Sequence, residues 1–200
     1  MERLYNHTNP LVRSIFRRRV QVAYNLAPIN DNSILVDIGC GSGLLLKSIR
    51  RSNDKCECWG TDIVKYKGIE SVKCKFQIAD VRNLPFNDNY LDIVFALDIL
   101  EHIEDDVGVA INEIYRVLNP SGVAILSGPT ESWFYRFCRS LLLYQSKRNR
   151  KYSGQEIDYH YHNIYDLEQK FVEHGFRLTK ARSLPGYPLP SLFRVSKFQK

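Results

Sequence analysis

Three glycines at alternate positions, Gly39, Gly41 and Gly43, follow directly on the apolar, partly β-branched run Ser33–Ile38. A run of that length reads as a short buried strand. Leu44–Arg50, behind the glycines, reads as a helix. Glycine at this spacing lets the chain turn sharply and brings bare backbone against a ligand. The amides that open the following helix point into the same space. Strand, glycine turn and helix therefore make a cradle for a nucleotide-type cofactor, and the rest of the chain has to be built around it.

The flanking segments supply a sheet. Pro10–Ala27 predicts a helix with Asn9 as N-cap and Pro10 in its first turn. Its apolar stripe is Leu11, Ile15, Val22 and Leu26, with the arginines mostly off it. Lying before the first strand, it is placed to act as a lid over the cofactor. Cys56–Asp62, Val72–Ala79, Leu91–Leu97 and Val123–Ser127 read as further strands. Glu104–Leu118 reads as a helix, and Asn119–Gly122 as a turn. Strands alternating with helices imply right-handed crossovers and a parallel sheet covered on both faces. Beyond Thr130 the character changes. Trp133–Tyr144 predicts an aromatic-rich helix, Gln145–Gln155 a polar, basic, mobile stretch, and Ile164–His174 a helix ended by Gly175. Phe176–Ser183 and Leu192–Phe198 read as an antiparallel pair. With 200 residues, 44% hydrophobic and 25% charged, the chain suits one domain. Within it, 1–30 is the helical lid, 31–130 the cofactor core and 131–200 the acceptor side.

Charge narrows the cofactor. A phosphate-binding loop of P-loop type needs Gly-Lys-Ser/Thr, which is absent. A dinucleotide site wants G-x-G-x-x-G and places a pyrophosphate on the helix terminus. Here Asp37 stands two residues before Gly39. A carboxylate there repels a pyrophosphate and attracts a cation. S-adenosylmethionine carries a sulfonium, an ammonium and no phosphate, so it is favoured over NAD. Asp62, about 20 residues beyond the first glycine, suits hydrogen bonding to ribose hydroxyls. Asp80 ends the third strand, where it could accept from an adenine amino group, with the Val81 amide beside it. Acids often cap turns, so none of these carries much weight alone; their places at successive strand ends carry it together.

Val36-Asp-Ile-Gly-Cys-Gly-Ser-Gly43, Gly60-Thr-Asp62, Ala79-Asp-Val-Arg-Asn-Leu-Pro-Phe86, Leu91-Asp-Ile-Val94 and Glu113-x-x-Arg116-Val-Leu118 resemble the class I S-adenosylmethionine-dependent methyltransferases. Within these, the group typified by ubiquinone and menaquinone biosynthesis enzymes is the nearest likeness, over roughly Ser33 to Ser127. The resemblance implies an α/β, Rossmann-like, doubly wound seven-stranded sheet in order 3-2-1-4-5-7-6, with strand 7 antiparallel. It implies S-adenosyl-L-methionine as cofactor and S-adenosyl-L-homocysteine as product. Carried onto this chain, the cofactor contacts are Asp37, Gly39, Cys40, Gly41, Gly43, Asp62, Ile63, Asp80 and Val81. Leu97, Asp98 and His102 would line the methionine side. Asn119-Pro-Ser-Gly122 departs from the family's usual Lys-Pro-Gly-Gly, a turn substitution with no bearing on chemistry. Asp98, Glu101 and His102 also form an acid-x-x-Glu-His array similar to a metal-binding array of some small-RNA and ubiquinone-pathway O-methyltransferases. Its oxygen donors would suit magnesium. Glu-His is common here in relatives without a metal role, so the leading expectation is no metal, with these three residues as the alternative.

The acceptor side is less explicit. Tyr159–His160–Tyr161–His162 is the densest group of proton acceptors, and a histidine of near-neutral pKa can deprotonate a hydroxyl. His160, His162 and Tyr161 are the catalytic candidates, His160 first; the plain alternative is that they cap a helix and fill the lid. Trp133, Phe134, Phe137, Cys138, Leu141 and Leu142 share one helical face, with Arg136 and Arg139 off it. Such a stripe is usually core, but it can also sit in a membrane interface or wall an apolar pocket. The formal charge is +6, with basic clusters at Arg13, Arg17, Arg18 and Arg19 and again from Arg136 to Lys151. A solvated basic surface accounts for this; attraction to an anionic acceptor or membrane surface is the sharper reading. Nucleic acid is disfavoured, because neither an RNA-binding module nor a basic-aromatic repeat is present. Cys56-x-Cys58 would need two more ligands for zinc, so core packing is expected. Five cysteines, no apolar run of about 20 residues and no signal-type start point to a reduced, cytoplasmic setting with peripheral membrane contact. The expected activity is methyl transfer to a small-molecule or lipid-linked acceptor at oxygen. Its rivals are a non-catalytic S-adenosylmethionine-binding protein and an NAD-dependent oxidoreductase.

Overall fold

The computed structural model describes residues 10–148, 160–186 and 188–200. Seven strands form one sheet: β1 (Ile34–Ile38), β2 (Glu57–Asp62), β3 (Lys75–Ile78), β4 (Leu91–Leu97), β5 (Leu118–Pro129), β6 (Arg177–Leu184) and β7 (Phe193–Gln199). Their order is β3-β2-β1-β4-β5-β7-β6. β1 pairs parallel with β2 and β4, and β4 parallel with β5. β7 runs antiparallel to both its neighbours. This is the α/β sheet and strand order that the motifs implied.

The helices are α1 (Pro10–Leu26), α2 (Leu44–Ser52), α3 (Val107–Val117), α4 (Trp133–Arg148) and α5 (Ile164–Glu173). Successive side chains of a strand point to opposite faces, and β4 shows the consequence. Val94 and Ala96 enter the core that holds Ile111 and Ile114 of α3 and Leu167 and Phe171 of α5. Ile93 and Phe95 enter the other, with Phe16 and Val20 of α1 and Leu46 and Ile49 of α2. Burial on both faces is why β4 reads as an almost continuous apolar run, broken by Asp92 alone. Phe95 is fully buried, and its truncation to Ala would cost about 3–5 kcal/mol.

Three local differences from the expected elements have physical causes. α3 starts at Val107 rather than Glu104 because Asp106 is its N-cap, its carboxylate accepting from the Gly108 amide at 2.8 Å. The Asn119–Gly122 turn lies inside β5: pairing jumps from Leu91–Leu118 to Ile93–Val123, and Asn119 Oδ1 accepts from the Ser121 amide at 3.0 Å. The turn is thus a bulge in a strand that begins at Leu118. α4 continues to Arg148, taking in Gln145–Arg148, which composition had assigned to a polar stretch. The rest of that stretch, Asn9 and Tyr159 lie outside the described residues. Cys56 and Cys58 are both buried with their sulfurs 3.5 Å apart, as core packing requires. Among the described residues no helix is long and apolar enough to cross a membrane.

Candidate active site

The parallel strands β1, β2, β4 and β5 present their carboxyl ends along one edge of the sheet, and the candidate residues sit there. Gly39, Gly41 and Gly43 all have left-handed backbone, with φ of 66°, 52° and 77°. Two of them are also squeezed. A Cβ on Gly39 would run into the Ile99 side chain, and one on Gly43 would lie 2.8 Å from Ile69 and 2.9 Å from Val72. Gly41 is different: a Cβ there would meet nothing within 4 Å. Its bareness therefore leaves room above the turn, as a cofactor cradle requires.

The turn is tied to β2. The Gly41 amide donates to Asp62 Oδ2 at 2.9 Å, and the Cys40 amide to the Thr61 carbonyl at 3.0 Å. Asp62 is thereby held at the lip of the cradle. Asp37 lies below it, buried, and its pKa is pushed up to about 8 by burial and by the nearby Asp62 charge. A buried acid beside a second acid is a site short of positive charge. Burial also pushes the Cys40 thiol up, which makes it a packing residue rather than a nucleophile. Ile63 and Ile78, at the ends of β2 and β3, leave apolar side chains exposed where a purine face could cover them. Glycine space, acid pair and apolar flank together fit the cationic, phosphate-free S-adenosylmethionine.

Asp80 is placed differently from its expected role. Arg82 holds it through Nε to Oδ1 at 3.0 Å and Nη2 to Oδ2 at 2.6 Å, and the Arg82 amide also donates to Oδ1. These contacts hold its carboxyl below the usual carboxylate range. An adenine amino group would have to share this acceptor with Arg82. Val81 beside it is buried against the core.

At the end of β4, Leu97 is partly buried and Asp98 takes left-handed backbone, φ 54°. Its carboxylate accepts from Ser127 Oγ at 2.9 Å and forms a buried ion pair with Arg19 of α1. Arg19 is 0% exposed and lies 4.9 Å from the Phe16 ring and 4.8 Å from the Phe193 ring. The arginines of α1 were expected to fall mostly off its apolar stripe. Arg19 corrects that: it sits four residues after Ile15 and three before Val22, on the buried arc. The spacing was the missed signal. A buried charge needs its partner, so Arg19 and Asp98 fasten α1 to the site.

Leu100–His102 forms a short 3-10 turn that buries Glu101 and leaves His102 half-buried. The His102 ring lies 5.1 Å from that of His160, whose Nδ1 is 2.6 Å from Glu131 Oε1. Glu131 follows the end of β5 and also has left-handed backbone, φ 48°. Residues held in such conformations cluster at functional sites. The sequence reading passed over Glu131, although an acid just beyond a strand end is the signal that picked out Asp62 and Asp80. Burial lowers the His160 pKa, helped by the charges of Arg139 and His102; the Glu131 hydrogen bond opposes this. Tyr161 is exposed, its amide donating to the Glu101 carbonyl at 2.8 Å. His162 is turned away toward the Ile103 backbone, its pKa lowered by burial. Among the described residues of the cluster, His160 alone is brought into the acid-imidazole group. Glu101, His102 and His160 each bring a donor atom within 4.8 Å of one another. Asp98, the first acid of the expected metal array, pairs with Arg19 instead.

Comparison with known proteins gives the same picture from outside. Residues 36–126 match the family model described as "Methyltransferase domain". Norajmaline N-methyltransferase of Rauvolfia serpentina is 32% identical over 127 residues, 55% of this chain and 42% of that protein. Ubiquinone biosynthesis O-methyltransferase of Bartonella tribocorum is 24% identical over 136 residues, 62% of this chain and 54% of that one. The chain thus spans about half the length of the curated relatives it matches. Magnesium protoporphyrin IX methyltransferase of Synechocystis, solved with bound S-adenosylhomocysteine, shares the fold with a TM-score of 0.69 at 17% identity, covering 100% of this chain and 92% of its own. Residues 36–126, a little under half of the chain, thus match the methyltransferase family model, and the two relatives and the solved structure that the chain resembles here are methyltransferases.

Proposed function

We propose that the chain transfers the methyl group of S-adenosylmethionine to an oxygen of a small-molecule or lipid-linked acceptor, with His160 as general base. The observation that carries this is the 2.6 Å contact between His160 Nδ1 and Glu131. A carboxylate only accepts, so the shared hydrogen belongs to Nδ1 and the ring's lone pair lies on Nε2. Lowered by burial, His160 is neutral at pH 7 and able to take a proton. An alcohol or phenol must lose its proton as its oxygen attacks, whereas a neutral amine arrives with a free lone pair. The base thus favours oxygen, although the relatives' names include both N- and O-methyltransferases.

When bound, the cofactor supplies an electrophilic methyl on a cationic sulfur. Asp37, the Gly39–Gly43 turn with Cys40, Asp62 and Ile63 would hold it, Asp80 and Val81 would meet its adenine end, and Leu97, Asp98 and His102 its methionine end. The chain's larger task is alignment of acceptor and donor, which can contribute about 7–11 kcal/mol. Glu131 holds the His160 ring and stabilises the imidazolium formed on proton transfer. We assign no proton transfer to His162 or Tyr161.

The test is a methyl-transfer screen over phenols and hydroxylated lipids, repeated with His160→Ala. A drop in kcat of roughly 10²–10⁴ is expected; unchanged turnover removes the base. Calorimetry separates the rivals: NAD binding without S-adenosylhomocysteine binding would overturn the cofactor reading. Binding with no turnover on any acceptor would leave a non-catalytic binder. A second reading has its own observation, the three donor atoms of Glu101, His102 and His160. Two imidazoles and a carboxylate suit zinc or manganese better than the magnesium expected for the oxygen-rich set Asp98, Glu101 and His102. Turnover that survives EDTA removes this reading; loss restored by one of those metals establishes it.

A further inference from the structure

α4 turns two of its large aromatics, Trp133 and Phe137, outward. Trp133 is 75% exposed and Phe137 61%, one helical turn apart. Arg136 and Ser140 share that exposed arc. The expected stripe is therefore split: Phe134 and Cys138 pack inward with Tyr135, while Trp133 and Phe137 do not. Tyr135 meets the Phe193 ring at 5.7 Å, and Phe16 of α1 meets the same ring at 5.1 Å. α1 and α4 are thus neighbours at the mouth of the site. On α1 the exposed Arg17 and Arg18, with Arg13 and Gln21, line an open concavity.

We propose that the outer face of α4, together with the exposed arginines of α1, docks on an anionic phospholipid surface. Exposed Trp and Phe gain most at the boundary between headgroups and acyl chains, where aromatic rings are at home. Arginines around them meet lipid phosphates, and the chain's +6 charge draws the whole molecule toward a negative sheet. Glu131, whose side chain is largely buried, pairs with His160 and also lies 3.6 Å from Arg136 Nε, so it meets part of the Arg136 charge from the inner side of the arc. A lipid surface also suits the chemistry behind it. Tyr135, on the inner side of the same helix, lies 6.2 Å from the His160 ring. Seating α4 in the interface would bring the wall of the site to the place where amphipathic hydroxylated molecules collect. The docking itself does not depend on the oxygen-acceptor reading, and its test does not measure turnover.

The experiment is co-flotation of the full chain with vesicles of phosphatidylcholine containing roughly one-third phosphatidylglycerol, with pure phosphatidylcholine as control. The wild type should float with the anionic vesicles at low salt and be released in 1 M salt. Its tryptophan emission should shift to the blue on binding. The double variant Trp133→Ser/Phe137→Ser should lose the emission shift and bind about tenfold less. Arg17→Glu/Arg18→Glu should lose the preference for anionic vesicles by a similar factor. Circular dichroism and S-adenosylhomocysteine binding by each variant show that it is folded. Failure of the wild type to float overturns the proposal, as does equal flotation by a folded Trp133→Ser/Phe137→Ser variant. So does a wild-type dimer that the same double variant dissolves, since the face would then be covered by a second copy.

Discussion

The two halves of this site are built by different means. Around Gly39–Gly43 the turn is held through its own backbone groups: the Gly41 amide to the Asp62 carboxylate, the Cys40 amide to the Thr61 carbonyl and the Lys47 amide to the Gly43 carbonyl. Around His160 the partners come from across the chain, and side chains do the joining. Arg19, Asp98, Ser127, Glu131, His160 and Phe193 meet through ion pairs, hydrogen bonds and rings. A backbone-made cradle tolerates variation in side chains but not in glycine. A side-chain-made wall can be rewritten without disturbing the fold, so one cofactor site can serve many acceptors.

That contrast can be broken first at Arg19. Removing it leaves Asp98 buried without its cation, and Arg19→Ala should cost about 3–5 kcal/mol in urea unfolding. A loss below about 1 kcal/mol would mean that α1 is held by its apolar contacts alone. The glycine half is sharpened by comparing two alanines. Gly39→Ala meets both a left-handed backbone and the Ile99 side chain. Gly41→Ala meets the backbone cost alone, about 1–2 kcal/mol. Stability should therefore fall more in the first variant. In the second, S-adenosylhomocysteine affinity should fall by about tenfold or more, because the new methyl enters the open space of the cradle.

A third test uses pH. The Asp37 pKa is raised in the folded chain, so its proton is held there and released on unfolding. The stability it contributes is complete below the ordinary carboxylate range and is lost as pH rises through about 8. A cationic cofactor prefers the ionised acid, so affinity should move the opposite way, strengthening as pH rises toward 8 and levelling above it. Calorimetry should show proton release on binding, absent in Asp37→Asn. Affinity that weakens over this range would contradict the role. The smallest effect belongs to Arg82→Ala. Its pair with Asp80 is largely exposed, so stability should hardly change and cofactor affinity should change by a few-fold at most.

Much of the cofactor half was legible from residues alone, because its signals are local. Glycines at alternate positions, Asp37 before them and Asp62 after the next strand are separated by short stretches whose conformation the sequence pattern predicts. Arg19 was legible in principle from helical spacing and was passed over, because charge suggested an exposed position. Glu131 carried a weak signal, an acid beyond a strand end. Its pairing with His160 carried none, since nothing local relates positions 131 and 160. The outward turn of Trp133 and Phe137 was hidden for a related reason. Periodicity shows which residues share a face, but not which way that face points.

By itself, then, the amino-acid sequence determined the strands and the glycine turn, consequences of backbone sterics and short-range patterning, and the strand order through the family resemblance that its motifs carry. The tertiary structure alone decided that Arg19 is buried against Asp98, that His160 and not His162 meets Glu131, and that α4 shows its aromatics to the outside. Those outcomes rest on side chains brought together by the closing of the sheet, and only packing of the whole chain sets their distances.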